Sequence, residues 1–397
     1  MHKIKLVHIS AVPVTPWLFL RGQNSFMTGK GLDVHVVASP DPLLDKLAKR
    51  DSVHVHPVKI LRKCSPMRDL VSLVRLVALL LRLRPEIVQL STPKAAMIAS
   101  IASWMARVPV RIFLVRGLVS YKLTGFEGFR VWLHELLTAR LCHQTICESR
   151  SLLEFARDTG IISELQGTVL ANGMGNGVDT ERFDPRRGDL GETAASLANE
   201  LQIPRDCFVI GVVGRFAMTK GFEDLVTAWR IIREECATSR LLLVGNWDER
   251  DIVPDRIKKA LTEDPRVVFS GCFVDDPAPY YLLMSLLLQP STRGEGFPNV
   301  PMEAAAMELP VVTTNVIGCT DTVIEGVTGT VVPPHDPMAL ASAIRVYLRD
   351  AGLRRKHGQA GRERAVRDFQ PVQIWSELYN LYVRLLGTRG IALTEPE

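Results

Sequence analysis

The sequence predicts an α/β protein built from two doubly wound, parallel-sheet (Rossmann-like) domains that face each other across a cleft. A chain of 397 residues exceeds one ordinary hydrophobic core and suits two domains of about 150–200 residues each. Short β-branched apolar runs alternate with helix-length segments, which is typical of parallel strands covered on both faces. A stretch rich in Gly, Asn, Asp and Pro, residues 172–201, divides this alternation into two series.

Each series contains its own strands and helices. In the first, the predicted strands are Ile4–Ile9, Val34–Ala38, Val53–Val58, Ile87–Leu90, Val110–Val115 and Thr168–Ala171, with helices such as Met67–Leu83, Lys94–Ala106 and Glu127–Leu141. In the second, they are Val209–Val213, Leu241–Val244, Val267–Phe269, Leu286–Gln289 and Val311–Thr313. We therefore assign an N-terminal domain to 1–175 and a C-terminal domain to 200–370. A last helix, 371–386, has the periodicity needed to pack on either of them.

Composition excludes several classes of protein. With 47% apolar and 23% charged residues the chain is globular, and no stretch reaches the roughly 18 apolar residues of a membrane span. The first apolar run is interrupted by His8, Pro13 and Pro16, so it reads as a strand and not as a signal peptide. Seven scattered cysteines indicate free thiols in a reducing cytoplasm. His54 and His56 share a strand face, but two ligands do not make a metal site.

Charge is divided unequally along the chain. Residues 1–170 carry 23 Lys/Arg and 12 Asp/Glu, a net +11, whereas the remainder carries 25 and 31, a net −6. The first half therefore favours an anionic partner, such as a membrane surface or a diphosphate lipid. Nucleic acid is not expected, because aromatic residues are not interleaved with the basic ones as in a base-stacking platform.

Two loops of the second half carry residues suited to a nucleotide-linked sugar. In Gly211–Gly221 a strand ends at Gly214, Arg215 and Lys220 follow, and a helix then opens. An arginine able to grip bidentately and a lysine acting as a point charge suit a diphosphate. By itself this motif is better explained by two ordinary solvated surface cations in a loop.

The second loop, Arg293–Glu303, carries two glutamates separated by seven residues. Glu295 follows a strand and Glu303 lies in the first turns of a helix that begins near Asn299. Carboxylates accept hydrogen bonds from vicinal hydroxyls, and the first N–H groups of the helix, near Asn299 and Val300, suit a phosphate. Glu303 is also explained by charge complementarity at a helix N-terminus, but Glu295 is not. A third segment, Val316–Pro334, reads by itself only as a glycine-rich loop.

Together, these segments resemble the retaining glycosyltransferases of family 4, which have the GT-B fold, over nearly the whole chain. The matching motifs are G-R-x₄-K-G, E-G-F-x-N…E, Ser91–Ala95, Val108–Arg111 and Asn176–Asp179, and they resemble most the subgroup that builds capsular and exopolysaccharides. The resemblance implies that Arg215 and Lys220 hold the donor diphosphate, that Glu303 binds the ribose and that Glu295 faces the transferred sugar. UDP is the implied donor nucleotide, and no metal or other cofactor is expected. We assign Glu295, Arg215 and Lys220 as catalytic, and Gly214, Arg215, Lys220, Gly296, Phe297, Asn299, Val300 and Glu303 to donor binding.

The acceptor side departs from the family pattern. Relatives usually carry histidines after the strand that here ends at Ser91, and in a His-Gly-Leu segment where this chain has Arg116–Leu118. Arg116 is suited to contacting a phosphate but cannot act as a base. In such retaining enzymes the leaving diphosphate itself can take the acceptor proton. We place Ser91, Lys94 and Arg116 on the acceptor side, and expect the acceptor to be a glycan on a polyprenyl-diphosphate lipid.

Two questions remain open in the sequence. Arg68, Arg75 and Arg82 recur every seven residues in an apolar segment, which fits a helix lying on an anionic membrane and fits equally a helix packed on the sheet with its arginines outward. A cytoplasmic enzyme peripheral to the inner face of the plasma membrane is the corresponding hypothesis. The alternatives in function are a nucleotide-sugar 2-epimerase and a catalytically degenerate partner subunit that only binds nucleotide-sugar.

Overall fold

The computed structural model describes residues 3–61, 65–271 and 274–393. It divides into two compact units: Met1–Gly177 with Pro371–Glu397, and Val178–Gln370. Each unit is built around one parallel sheet, as the alternation of apolar runs and helical segments predicts.

The first unit contains a seven-stranded sheet in the order β3-β2-β1-β4-β5-β6-β7. Its strands are β1 Lys5–Ile9, β2 Asp33–Ala38, β3 His54–Pro57, β4 Ile87–Leu90, β5 Val110–Val115, β6 Gln144–Cys147 and β7 Gly167–Thr168. All neighbouring strands pair in parallel. The strand order reverses direction between β1 and β4, the point at which open α/β sheets receive ligands beyond the carboxyl ends of their strands.

The second unit contains a six-stranded parallel sheet in the order β10-β9-β8-β11-β12-β13. Its strands are β8 Val209–Val213, β9 Arg240–Val244, β10 Val267–Phe269, β11 Leu286–Gln289, β12 Val311–Thr314 and β13 Gly329–Val332. Here the order reverses between β8 and β11. The two loops that carry the predicted donor residues follow these two strands.

Helices cover both faces of each sheet. They are α1 Val14–Phe19, α2 Gln23–Gly29, α3 Pro42–Asp51, α4 Pro66–Leu83, α5 Pro93–Met105, α6 Gly125–Leu141, α7 Arg150–Asp158, α8 Leu190–Glu200, α9 Phe222–Glu235, α10 Asp255–Thr262, α11 Ala278–Leu282, α12 Asn299–Ala306, α13 Pro337–Arg349, α14 Ala351–Asp368 and α15 Pro371–Gly387. Local signals explain many of their starts. Asp336, for example, accepts the Ala339 N–H at 2.8 Å before Pro337 opens α13. Within the described residues, no helix is long and apolar enough to cross a bilayer.

The last helix, which the sequence left free to pack on either domain, lies in the first unit. Leu378 and Tyr382 of α15 are buried with Leu6 and Ile112 in the hydrophobic core of that unit. The Tyr382 hydroxyl also donates to Gln89 of β4. The chain therefore leaves the first unit after Gly177 and returns to it at Pro371.

The segment predicted as a linker is different in the structure. Val178 already belongs to the second unit, and the predicted linker contains helix α8. Ala and Leu are strong helix formers, and Leu190 and Ala194, one turn apart, are both buried. The sequence prediction missed this helix because the residues before it are rich in Gly and Asn, and its apolar stripe is short. The predicted strand Thr168–Ala171 is also shorter, because β7 pairs only at Gly167–Thr168.

Candidate active site

The two predicted donor loops lie side by side because β8 and β11 are paired neighbours. Gly221, between the 3₁₀ turn Met218–Lys220 and α9, has φ +76°, a conformation that favours glycine. A Cβ on Gly221 would lie 1.8 Å from the carbonyl oxygen of Pro290, the residue that follows β11. Only glycine allows this approach of the two backbones, and the approach places Lys220 beside the glutamate loop.

Lys220 and Glu295 form the centre of the site. Lys220 Nζ donates to Glu295 Oε2 at 2.5 Å, while Glu295 Oε1 accepts from Gln289 Nε2 at 2.8 Å and Ser291 Oγ at 2.5 Å. Burial alone would raise the pKa of Glu295, but the Lys220 charge and these hydrogen bonds together hold that pKa below its usual value. Glu295 is therefore ionised at neutral pH, and all its partners are donors.

The third segment singled out in the sequence, the glycine-rich loop Val316–Pro334, supports the Glu295 backbone. The Glu295 N–H donates to the Ile317 carbonyl at 2.8 Å. Gly318 has φ +80°, and a Cβ there would lie 2.6 Å from the carbonyl oxygens of Glu295 and Gly296. A side chain at position 318 would displace the loop that carries Glu295.

Glu303 lies on α12 in a different environment from Glu295. Its Oε2 accepts the hydroxyl of the fully buried Tyr281 at 2.8 Å. Burial raises the pKa of Glu303, and the Tyr281 hydrogen bond and the Arg182 charge only partly oppose it. Helix α12 begins at Asn299 without any side-chain cap or acidic residue in its first turn. Helix α12 therefore offers the Glu303 carboxyl group and, on the adjoining turn, backbone N–H groups that no side chain caps.

Arg215 is held by a residue that sequence reasoning did not identify. The Arg215 guanidinium donates to Asp248, a carboxylate with 3% of its side chain exposed, and Arg250 donates to the same carboxylate at 3.1 Å. Asp251 accepts both the N–H (3.0 Å) and the hydroxyl (2.5 Å) of Thr219. The segment 245–251, which follows β9, therefore holds both ends of the basic loop.

The residues that sequence reasoning missed could have been found in part from the order of the strands in the sheet. Strand β9 neighbours β8, so the loop that follows β9 reaches the same edge of the sheet as Arg215. Gln289 and Ser291 similarly lie directly at the end of β11. Tyr281 gave no such signal, because it comes from a short helix whose position the sequence does not specify.

The three acceptor-side residues lie in the first unit, at the carboxyl ends of the adjacent strands β4 and β5. Ser91 directly follows β4, and its hydroxyl makes a 3.4 Å bond to the Ile9 carbonyl. Lys94 Nζ pairs with Asp69 Oδ1 at 2.7 Å. Arg116 pairs with Glu148 Oε1 at 3.1 Å. Both predicted cations therefore already have anionic partners.

Arg116 is part of a buried polar cluster. Its guanidinium stacks on the Phe19 ring, 4.5 Å from the centroid, and pairs with the 8%-exposed side chain of Glu148. Burial, and secondarily the Arg116 charge, lower the pKa of His8 to about 3, so His8 is neutral. Among the described residues, neither His8 Nε2 nor Arg116 Nε has a hydrogen-bond partner.

The histidines of β2 and β3 interact with one another. His35 Nδ1 lies 3.0 Å from His56 Nε2, and Asp33 is 3.2 Å from His35 and 3.5 Å from His54. Burial lowers the pKa of His56 to about 4, with His35 as the next cause. In the described part of the chain, no group of three or more His, Cys, Asp or Glu is arranged to hold a metal ion.

Comparison with known proteins identifies relatives over nearly the full chain. Residues 27–173 match a model described as glycosyl transferase 4-like domain, and residues 207–350 match one described as glycosyl transferases group 1. The chain is 35% identical over 382 residues to the capsular polysaccharide biosynthesis glycosyltransferase CapM of Staphylococcus aureus, covering 96% of this chain and 97% of CapM.

More distant relatives also align with nearly the whole chain. The UDP-Gal:alpha-D-GlcNAc-diphosphoundecaprenol alpha-1,3-galactosyltransferase of Escherichia coli is 24% identical over 394 residues, covering 97% of this chain and 98% of that protein. The structure of Anabaena HepE in complex with UDP and glucose has a TM-score of 0.80 at 20% identity, covering 95% of this chain and 99% of that one. A glycosyltransferase from Rickettsia africae also has a TM-score of 0.80, at 18% identity, covering 97% of this chain and 99% of that one.

Proposed function

The chain belongs to the group 1 glycosyltransferases with a family 4-like first domain, and on this premise we propose that it is a retaining hexosyl- or N-acetylhexosaminyltransferase of capsular polysaccharide synthesis. We propose a UDP-sugar as donor and a glycan on a polyprenyl diphosphate as acceptor. The observation that carries the proposal is the Lys220–Glu295 pair, a cation and an ionised carboxylate joined at 2.5 Å where β8 and β11 end.

The donor fits the charges of this site. Lys220 and Arg215 supply positive charge for the diphosphate, and the uncapped start of α12 adds N–H groups near Asn299 and Val300. Glu295, ionised and surrounded by donors, accepts from the hydroxyls of the transferred sugar. Glu303 keeps one oxygen free of Tyr281 for the ribose hydroxyls.

The reaction requires no protein base. The acceptor hydroxyl oxygen forms a bond to the anomeric carbon while the bond from that carbon to the β-phosphate oxygen breaks. The electron pair of the breaking bond goes to the diphosphate, which takes the acceptor proton from the same face of the sugar. Lys220 and Arg215 stabilise the charge that develops on the departing diphosphate. This matches a first unit in which the low pKa of His8, about 3, makes it a weak proton acceptor and in which Arg116 is paired.

A donor panel tests the proposal. Thermal shift against UDP-, GDP- and ADP-sugars should give its largest stabilisation with a UDP-sugar, and turnover should then require a lipid-diphosphate glycan. NMR of the product should show the same anomeric configuration as the donor. Inverted product would refute retention, and conversion of UDP-sugar without any acceptor would indicate an epimerase instead.

The proposal also includes a reaction without a metal. Arginine, lysine and helix N–H groups take the role that a divalent cation has at other diphosphate sites. We expect full activity in excess EDTA, measured as product formed per minute before and after chelation. Activity abolished by EDTA and restored by Mg²⁺ would contradict this.

Helix α4 supports a peripheral membrane location. Ser72, Leu76, Leu79 and Leu80 are buried, and Arg68, Arg75 and Arg82 point outward, as in a helix packed on its unit. Five large apolar residues nevertheless stay exposed on the opposite side: Met67, Leu70, Val71, Val74 and Leu81. Their spacing of 0, 3, 4, 7 and 14 residues places them in one stripe beside the arginines. An exposed apolar stripe with flanking cations suits the interface of an anionic membrane.

Vesicle flotation tests this location. Wild type should float with phosphatidylglycerol vesicles at low salt, and the Leu70→Ser/Val74→Ser variant should float less because two exposed apolar side chains are lost. Val346→Ser, at a 50% exposed apolar position of α13, is the matched control and should float as wild type does. Equal flotation of all three proteins would exclude α4 as the contact.

A further inference from the structure

A basic cavity of about 300 Å³ opens in the first unit, away from the predicted donor and acceptor residues. It is lined by Trp104, Arg107, Arg111, His143 and Arg389, and by two apolar residues that directly precede β5. Trp104 lies in the last turn of α5 and Arg107 follows that helix. Arg111 lies at the start of β5, His143 directly precedes β6 and Arg389 follows α15. The cavity therefore lies at the amino-terminal edge of the sheet, opposite the edge where Ser91 and Arg116 follow their strands.

The cavity contains three guanidinium groups and no acidic residue. Arg111 is half-buried and donates to two backbone carbonyls, Leu141 at 2.7 Å and Val108 at 2.8 Å, and among the described residues no carboxylate forms an ion pair with it. Arg107 and Arg389 are exposed at the mouth, and neither has an ion pair with any described residue. Three like charges around one cavity favour an anion as the occupant.

His143 adds a fourth, uncharged donor. Its Nδ1 accepts the backbone N–H of Arg111 at 3.0 Å, so the ring proton is on Nε2. Burial, followed by the charges of Arg111 and Arg389, lowers the pKa of His143 to about 4. The neutral ring therefore presents one N–H donor without increasing the positive charge.

We propose that this cavity is a second anion site, which binds a phosphoryl group, either of a soluble phosphate compound or of a lipid headgroup. Two or three guanidinium groups match the bidentate acceptor geometry of phosphate oxygens. Trp104, 56% exposed at the rim, is able to stack against the remainder of such a ligand or to enter a lipid interface. The site is separate from the donor site, because every lining residue belongs to the first unit.

The test uses the double variant Arg107→Gly/Arg389→Gln. Arg107 has φ +54°, so glycine removes its charge without straining the backbone. Lys46→Gln, which removes an exposed cation from α3, is the matched control. Both are made in an Arg215→Gln/Lys220→Gln background, so that the probe, inorganic pyrophosphate, does not report the donor site.

Calorimetry and ¹⁵N-histidine NMR then measure the site. The background protein and its Lys46→Gln form should bind pyrophosphate equally, and the double variant should bind at least ~10-fold more weakly. Bound pyrophosphate should also raise the pKa of His143 above about 4, since an anion favours the charged ring. This titration shift is not expected from a merely structural role of the arginines.

Further arms separate the sources of the phosphoryl group and a competing occupant. Flotation with phosphatidylglycerol vesicles that is lost in the double variant, without pyrophosphate binding, identifies a lipid headgroup. The sequence ends with Glu395 and Glu397, outside the described residues. Pyrophosphate binding that appears only in a Glu395→Gln/Glu397→Gln variant would mean that the chain's own carboxylates occupy the cavity, and would overturn the proposal. Equal behaviour of the background protein and the double variant toward both probes would also overturn it.

Discussion

Lys220 and Glu295 depend on each other, and each changes what the other is able to do. Burial opposes ionisation of Glu295, and the Lys220 ammonium is the largest factor in the opposite direction. Removing the cation would leave a buried carboxylate with only neutral donors. Lys220 thus has two roles in the proposed reaction: a direct one toward the diphosphate and an indirect one on the charge of Glu295.

This double role predicts a shifted pH profile for Lys220→Gln. The low pKa of Glu295 keeps it ionised in the wild type, and loss of Lys220 raises that pKa. The acid limb of kcat/KM against pH should therefore move to higher pH, and kcat/KM at neutral pH should fall ~100-fold or more. Lys259→Gln, at a 72% exposed side chain, should change neither quantity. A large loss of activity with an unmoved acid limb would contradict the coupling.

Asp248 is expected to act through Arg215. Its carboxylate is 3% exposed and is shared by Arg215 and Arg250. Asp248→Asn keeps the shape but removes the charge that orients Arg215, so KM for the donor should rise ~3–10-fold with a smaller change in kcat. Steady-state kinetics should show wild-type values for the control Asp255→Asn, a fully exposed carboxylate on α10. A fall in kcat at unchanged KM would argue against positioning by Asp248.

At the scale of elements, the site is made by the approach of three strand-end loops, those that follow β8, β11 and β12. Three backbone contacts enforce it: Gly221 against Pro290, Gly318 against Glu295, and the Glu295 N–H bonded to Ile317. Two of these contacts need glycine because its positive φ and missing Cβ are both used. The two glycines thus allow the close backbone contacts that hold the Lys220 and Glu295 side chains next to each other.

Gly221→Ala should therefore destabilise the protein. The new Cβ would lie 1.8 Å from Pro290 oxygen at a backbone φ of +76°, and the combined clash and strain should lower the free energy of unfolding by about 2–4 kcal/mol. Urea denaturation of Gly188→Ala, at which a Cβ meets no atom within 4 Å, is the control and should match wild type. A Gly221→Ala protein with unchanged stability would mean that the two loops move apart easily.

At the scale of the molecule, the chain is not two consecutive domains. Helix α15 completes the first unit after the second has been traversed, and it buries Ile374, Leu378 and Tyr382 in the first core. The core of the first unit is therefore complete only when α15 is packed in it. Its sheet and the last helix are separated by 193 residues of the second unit.

Deleting residues 371–397 should destabilise the first unit selectively. The deletion exposes the core contacts of α15 and leaves Gln89 of β4 without the Tyr382 hydroxyl. Hydrogen exchange should show lost protection in β1 and β4, while β8 and β11 of the second unit keep theirs. The milder Tyr382→Phe variant should show the same pattern at smaller size. Uniform loss across both sheets would contradict independent cores.

The sequence by itself determined the fold class and the family, and it predicted the two loops of the candidate donor site. Apolar runs of strand length report burial directly, and G-R-x₄-K-G and the glutamate pair are contiguous motifs whose spacing is visible in one dimension. Only the tertiary structure decided which residues contact the side chains of these motifs. Asp248, Tyr281 and Gly318 meet the motifs across strand ends, and Arg116 meets Glu148 in the same way. Such contacts depend on the order of strands in each sheet, because neighbouring strands bring together residues far apart in the chain.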